Sequence, residues 1–134
     1  MKQLEMFDYW EPQKEQNFAE MVEEFASTAG QRKDVLMSAR LIAEEFKEWE
    51  EEYHDSAGKP ENELKELSDL VYVVFGYARA KGWDLMGAVK AVHENNMGRM
   101  YQPDGTIKRR EDGKIVKNPD YPKVDMTPFI GEDK

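Results

Sequence analysis

The run Leu70-Val71-Tyr72-Val73-Val74-Phe75 constrains this chain more than any other stretch. It follows Leu64 and Leu67, spaced as on one helix face, and continues the same predicted helix, about Pro60 to Lys81, with apolar side chains on every side. A helix that is apolar all round in a soluble protein must be surrounded. The chain has 134 residues, enough for one hydrophobic core and not for two, so a single domain over residues 1–134 is expected. So short a chain has few spare helices, and a partner subunit is expected to supply part of the cover. The β-branched and aromatic residues of Val71 to Phe75 also allow a buried strand.

The flanking pattern is helical. A first amphipathic helix is predicted from about Lys14 to Ala29, with Phe18, Met21, Val22 and Phe25 on one face and Gly30 as its stop. A second starts at Asp34 as N-cap and runs to about His54, carrying Val35, Ala39, Ile42, Phe46, Trp49 and Tyr53 as one stripe. Asp55-Ser56-Ala57-Gly58 reads as a turn, and Pro60 suits the first position of the third helix. Gly82-Trp83-Asp84 ends that helix and opens a fourth, to about Met100, with Leu85, Ala88, Val89 and Val92 facing inward. Beyond it, Asp112-Gly113 between two short apolar-basic runs signals a hairpin, and Asn118-Pro119 and Tyr121-Pro122 hold the rest extended. The expected fold is all-α: an antiparallel bundle of four main helices completed by a partner subunit. Its helical core spans about 14–100 and its irregular basic tail 101–134, with a short C-terminal hairpin.

The net charge of −9 argues against a nucleic-acid polymer as partner, because such binding needs a basic surface that displaces counterions. Residues 1–98 hold 11 Lys+Arg against 21 Asp+Glu, whereas residues 99–123 hold 7 against 4, so an acidic body meets a basic segment. With no cysteine there is neither a disulfide framework nor a thiolate metal site. The first residues lack a signal-peptide core, and no apolar run approaches the roughly 20 residues of a membrane span, so a cytoplasmic protein without membrane attachment is expected.

Two carboxylate pairs carry the chemistry: Glu45 with Glu48, and Glu66 with Asp69. Residues three apart on a helix lie about 60° around and roughly 4.5 Å along the axis, so each pair projects to one side. Counted from the turn, the pairs sit at similar heights on antiparallel neighbours and can face each other. Four converging carboxylates repel unless a cation neutralises them, and oxygen-only ligation selects Mg²⁺ or Mn²⁺. Magnesium fills its shell with water and substrate phosphates, which points to phosphoanhydride chemistry. The bland alternative for Glu45 and Glu48 is a solvated face, since six glutamates crowd Glu44 to Glu52. For Asp69 it is an ion pair with Lys65, although an acidic residue directly before the apolar run suits a metal better.

Glu44-Glu45-x-x-Glu48, Glu66-x-x-Asp69 and the following apolar helix resemble the signature of the all-α nucleoside triphosphate pyrophosphohydrolases, the MazG-like and phosphoribosyl-ATP pyrophosphohydrolase-like enzymes. The similarity spans about residues 18–100, and Asn96-Met97-Gly98-Arg99 with the later Arg110 to Lys114 resembles the end of the small phosphoribosyl-ATP-pyrophosphohydrolase-like proteins. The resemblance implies that Glu45, Glu48, Glu66 and Asp69 hold Mg²⁺ with Glu44 as helper, that Asn96 faces base or sugar and Arg99 phosphate, and that the protein works as a homodimer or homotetramer. Many relatives carry a lysine where this chain has Val92 and His93, and Lys108-Arg109-Arg110 can replace it, with Lys108 and Arg110 on phosphate. Those three residues read equally well as an exposed strand end. His93 reads as structural, and Trp10, Trp49 and Trp83 as core.

The expected activity is Mg²⁺-dependent hydrolysis of a nucleoside triphosphate, preferably a deoxynucleotide, to monophosphate and pyrophosphate, with Glu45 or Glu48 orienting or deprotonating the water. The alternatives are hydrolysis of phosphoribosyl-ATP at the same metal centre, and a non-catalytic helical dimer that binds nucleotide or protein through its acidic face.

Overall fold

The structure, a computed structural model, describes residues 15–131. Trp10, Lys14 and the start of the first predicted helix lie outside them. Four helices follow in order: α1 Phe18–Ala29, α2 Val35–His54, α3 Pro60–Lys81 and α4 Leu85–Arg99. Local chemistry sets their ends. Asn17 caps α1 later than the hydrophobic pattern suggests, in a reciprocal box where its Oδ1 accepts from Glu20 N at 2.9 Å and Glu20 Oε1 accepts from Asn17 N at 3.2 Å. Asp34 and Asp84 cap α2 and α4 through the amides of Met37 and Gly87. Gly30 and Gly82 close α1 and α3 in the left-handed region, with φ of 67° and 75°. Val71 to Phe75 is helical, and the strand alternative is excluded.

The α2 and α3 helices form an antiparallel hairpin, and α1 lies against α3. Phe18 meets Phe75 with ring centroids 5.6 Å apart, and Phe25 meets Tyr72 at 5.9 Å. Among the described residues the buried apolar side chains are Val22, Ala26, Phe75 and Ala78, all at the α1–α3 contact. The apolar run of α3 is therefore covered on one side only: Val71 and Tyr72 remain 40% exposed.

Three expectations fail. The α2 stripe is largely bare, with Phe46 and Tyr53 exposed; Tyr53 stacks on Trp49, Phe46 lies tilted against it, and Trp49 Nε1 donates to Glu63 at 3.3 Å. Val89 and Val92 do not face inward, because α4 packs on α1 and on the C-terminal segment rather than on the α2–α3 hairpin. Trp83 is likewise no core residue; it is 40% exposed with the Lys81 ammonium 4.9 Å from its ring centroid.

The predicted hairpin forms from β1 Lys108–Arg109 and β2 Ile115–Val116, paired antiparallel with Arg109 opposite Ile115. Gly113 turns its corner at φ 85°. The chain then runs back along the length of α4. Asn118 N donates to Arg99 O at 2.7 Å, Asn95 Nδ2 donates to Pro122 O at 2.9 Å, and Asp84 N donates to Phe129 O at 2.8 Å in a 3-10 turn at Thr127–Phe129. Gly98 and Gly87 let the strap lie close, since a Cβ at either would strike Tyr121 or Phe129.

Candidate metal centre

The α2–α3 hairpin brings Glu45, Glu48 and Glu66 together. One carboxylate oxygen from each lies within 4.8 Å of the others. The reason is register: with the turn centred near Ala57, Glu48 stands opposite Glu66 and Glu45 opposite Asp69. Glu45 and Glu66 are half-buried and Glu48 is exposed. In Glu45 and Glu66 the Oε2 atoms are shut off from solvent and accept no hydrogen bond from the described residues. A shielded carboxylate oxygen without a donor is costly, and two of them at one place call for a cation or a shared proton.

The electrostatics agree. Hydrogen bonding with Glu45 and repulsion by it hold the Glu48 carboxyl above its usual value. Glu66 is raised first by loss of solvent and then by Glu48. The donor set fits a hard divalent ion: oxygens only, on rigid elements, with two orphaned atoms. Glu45, Glu48 and Glu66 would hold such an ion from one side and leave its other positions to water and substrate phosphate.

Asp69 stands outside this group of three. It lies one turn beyond Glu66, half-buried, in an ion pair with Lys65. The Lys65 ammonium also feels Glu66 and Glu45, so one protein cation already sits at the edge of the cluster. Glu44 is exposed beside it and adds to the charge felt by Glu48.

The remaining candidates gather elsewhere. Asn96 and Lys117, with Met97, Met100 and Ile115, line a cleft between the end of α4 and the hairpin. Arg99, at the end of α4, is half-buried, with a shielded Nε that has no partner among the described residues. Lys108 is exposed, and Arg110 is held by Asp112 at 2.6 Å within its own turn. Because α4 does not pack on the α2–α3 hairpin, a single chain does not unite this basic group with the carboxylates.

Sequence reasoning missed Lys117 and a second group, Arg32, Ser38, Gly76 and Arg79, which share a cavity among α1, α2 and α3. Ser38 was open to discovery, since it precedes Glu45 by seven residues on the same face; the others meet only in three dimensions. No curated protein matches the chain. The sequence model of the phosphoribosyl-ATP pyrophosphohydrolase family matches residues 13–96.

Proposed function

The chain belongs to the phosphoribosyl-ATP pyrophosphohydrolase family, within the MazG-like all-α pyrophosphohydrolases, and from that premise we propose that it hydrolyses a nucleoside triphosphate, preferably a deoxynucleotide, in a Mg²⁺-dependent reaction. Membership makes it a pyrophosphohydrolase of a nucleotide-like substrate and leaves the non-catalytic reading without support. Water adds to one phosphorus of the anhydride bridge, the bridging oxygen leaves with the other, and monophosphate and pyrophosphate result.

One observation carries the reading: carboxylates from two helices converge with two shielded, unpartnered oxygens. Glu45, Glu48 and Glu66 would hold Mg²⁺ or Mn²⁺, joined by Asp69 on release from Lys65. The ion, when bound, supplies charge neutralisation and acidifies a bound water. Glu45 or Glu48 would orient the attacking water and take its proton, with Glu44 in support. Asn96 faces base or sugar, and Arg99, Lys108 and Arg110 contact phosphate; the unpartnered Nε of Arg99 supports this role.

These cationic side chains reach the carboxylates only between copies of the chain. The bare stripe of α2 and the uncovered side of α3 support a homodimer or homotetramer of one-domain subunits. No helix among the described residues is long and apolar enough to cross a membrane, and we place the enzyme in the cytoplasm without nucleic-acid partners. The second reading, phosphoribosyl-ATP as substrate, is favoured by the family match itself.

A substrate panel scored for pyrophosphate decides between them. Release from deoxynucleoside triphosphates with Mg²⁺, abolished by chelator and by Glu66→Gln, is expected. Turnover of phosphoribosyl-ATP alone would favour the second reading, and turnover that survives chelation would overturn the metal centre.

A further inference from the structure

The faces of α2 and α3 that carry the carboxylates continue, two turns away, into the walls of a cavity of about 130 Å³. Ser38 lies about 20° around α2 from Glu45 and roughly 10 Å along it. Val73 stands in the same relation to Glu66. Leu41 and Gly76 complete these two walls, and α1 closes the third side with Phe25. Two arginines reach the cavity: Arg32 from the α1–α2 loop and Arg79 from α3. Arg79 is fixed by its Nε bond to Glu23 at 2.5 Å, which engages one of five guanidinium donors.

Gly76 gives the cavity its meaning. It sits inside a helix, where glycine is about 1 kcal/mol less favourable than alanine. A Cβ there would meet nothing within 4 Å, so packing does not require glycine. The open space lies in line with the carboxylates, at a distance that a sugar bridges between a base and its phosphates.

Apolar walls with two guanidinium groups as their charged side chains, beside the amide of Gln31 and a Ser38 hydroxyl whose proton is already donated to Asp34 O, suit a flat ring whose edge carries acceptors. A triphosphate tail does not fit, because its hydrated charge would press on Leu41 and Val73. We propose that this cavity is the nucleobase subsite and that Arg32 selects bases with an acceptor edge, guanine above adenine. Guanine offers adjacent O6 and N7 acceptors to one guanidinium, whereas adenine sets its N6 amino group against a donor. The subsite rests on the carboxylates being the phosphate end of the site.

Calorimetric titration with dGMP and dAMP, in Mg²⁺, tests it on the wild type, Arg32→Ala and Gly76→Leu. The wild type is expected to bind dGMP at least about tenfold more tightly than dAMP, within the range for a bidentate contact. Arg32→Ala should erase the preference, and Gly76→Leu, checked for retained helix by circular dichroism, should weaken both ligands about tenfold or more. A wild type without preference, an Arg32→Ala that keeps it, or a folded Gly76→Leu that binds dGMP normally would each overturn the subsite. If Gly76→Leu does not fold, Arg32→Ala decides alone. Pyrophosphate release by the same proteins separates the two claims: no turnover with the binding pattern intact refutes the hydrolytic reading, and turnover without base preference refutes the subsite.

Discussion

Glu45 on α2 and Glu66 on α3 each keep one carboxylate oxygen away from water without a hydrogen-bond donor, although their carboxylates lie within 4.8 Å of each other. Two like charges so placed destabilise the α2–α3 hairpin unless something positive joins them.

Lys65 is a protein cation that feels Glu45 and Glu66, and it is bound to Asp69. Lys65→Met should leave the cluster more dependent on a divalent ion and free Asp69 to join it. Thermal melts with and without Mg²⁺ are expected to show a larger metal-induced rise in Tm than in the wild type. An unchanged rise would mean that Asp69 takes no part.

Glu48 and Glu66 have carboxyls held above their ordinary range, Glu48 chiefly by Glu45 and Glu66 chiefly by loss of solvent. A raised carboxyl favours the folded chain below the unfolded value of 4.5, and the contribution is lost as pH rises through the raised value. In chelator, Glu66→Gln should therefore gain stability relative to the wild type between pH 4 and pH 7. Denaturant titrations across that range check the sign; a pH-independent difference would contradict it.

Gly98 lies directly under Tyr121. Gly98→Ala should push the strap off α4 and cost about 1–3 kcal/mol by overpacking, with Tyr121→Ala in the same chain recovering part of the loss. Limited proteolysis of the segment after Asn118 reports the release. Metal binding should be unaffected, because α4 does not pack on the carboxylate hairpin.

Val71 and Leu64 lie on the uncovered side of α3, 40% and 63% exposed. If that side meets another copy, Val71→Glu should convert the oligomer to monomer by light scattering and remove activity, while the monomer retains helix. A wild type that is monomeric at micromolar concentration would contradict the assembly.

What the sequence disclosed was local. Asp34, Pro60, Gly82 and Asp84 announce helix ends because capping chemistry acts within a few residues, and α1 starts later than its hydrophobic pattern suggests because the Asn17–Glu20 box sets its first turn. The carboxylate pairs were legible for the same reason, being spacing on single helices joined by a short turn. Partners were not. Val89 and Val92 announce an apolar face, yet both stay exposed, because α4 packs on α1 and the strap and not on α2 and α3. Gly98 and Gly76 look alike in the sequence; one is filled by Tyr121 and the other opens on a cavity.

The central claim is that α2 and α3 aim their carboxylates at one divalent ion. Anomalous diffraction from crystals soaked in Mn²⁺ tests it most directly. The account predicts a peak bounded by Glu45, Glu48 and Glu66, absent from Glu66→Gln crystals. No peak there, with Lys65 still bound to Asp69 and the three carboxylates ligating nothing, would contradict it.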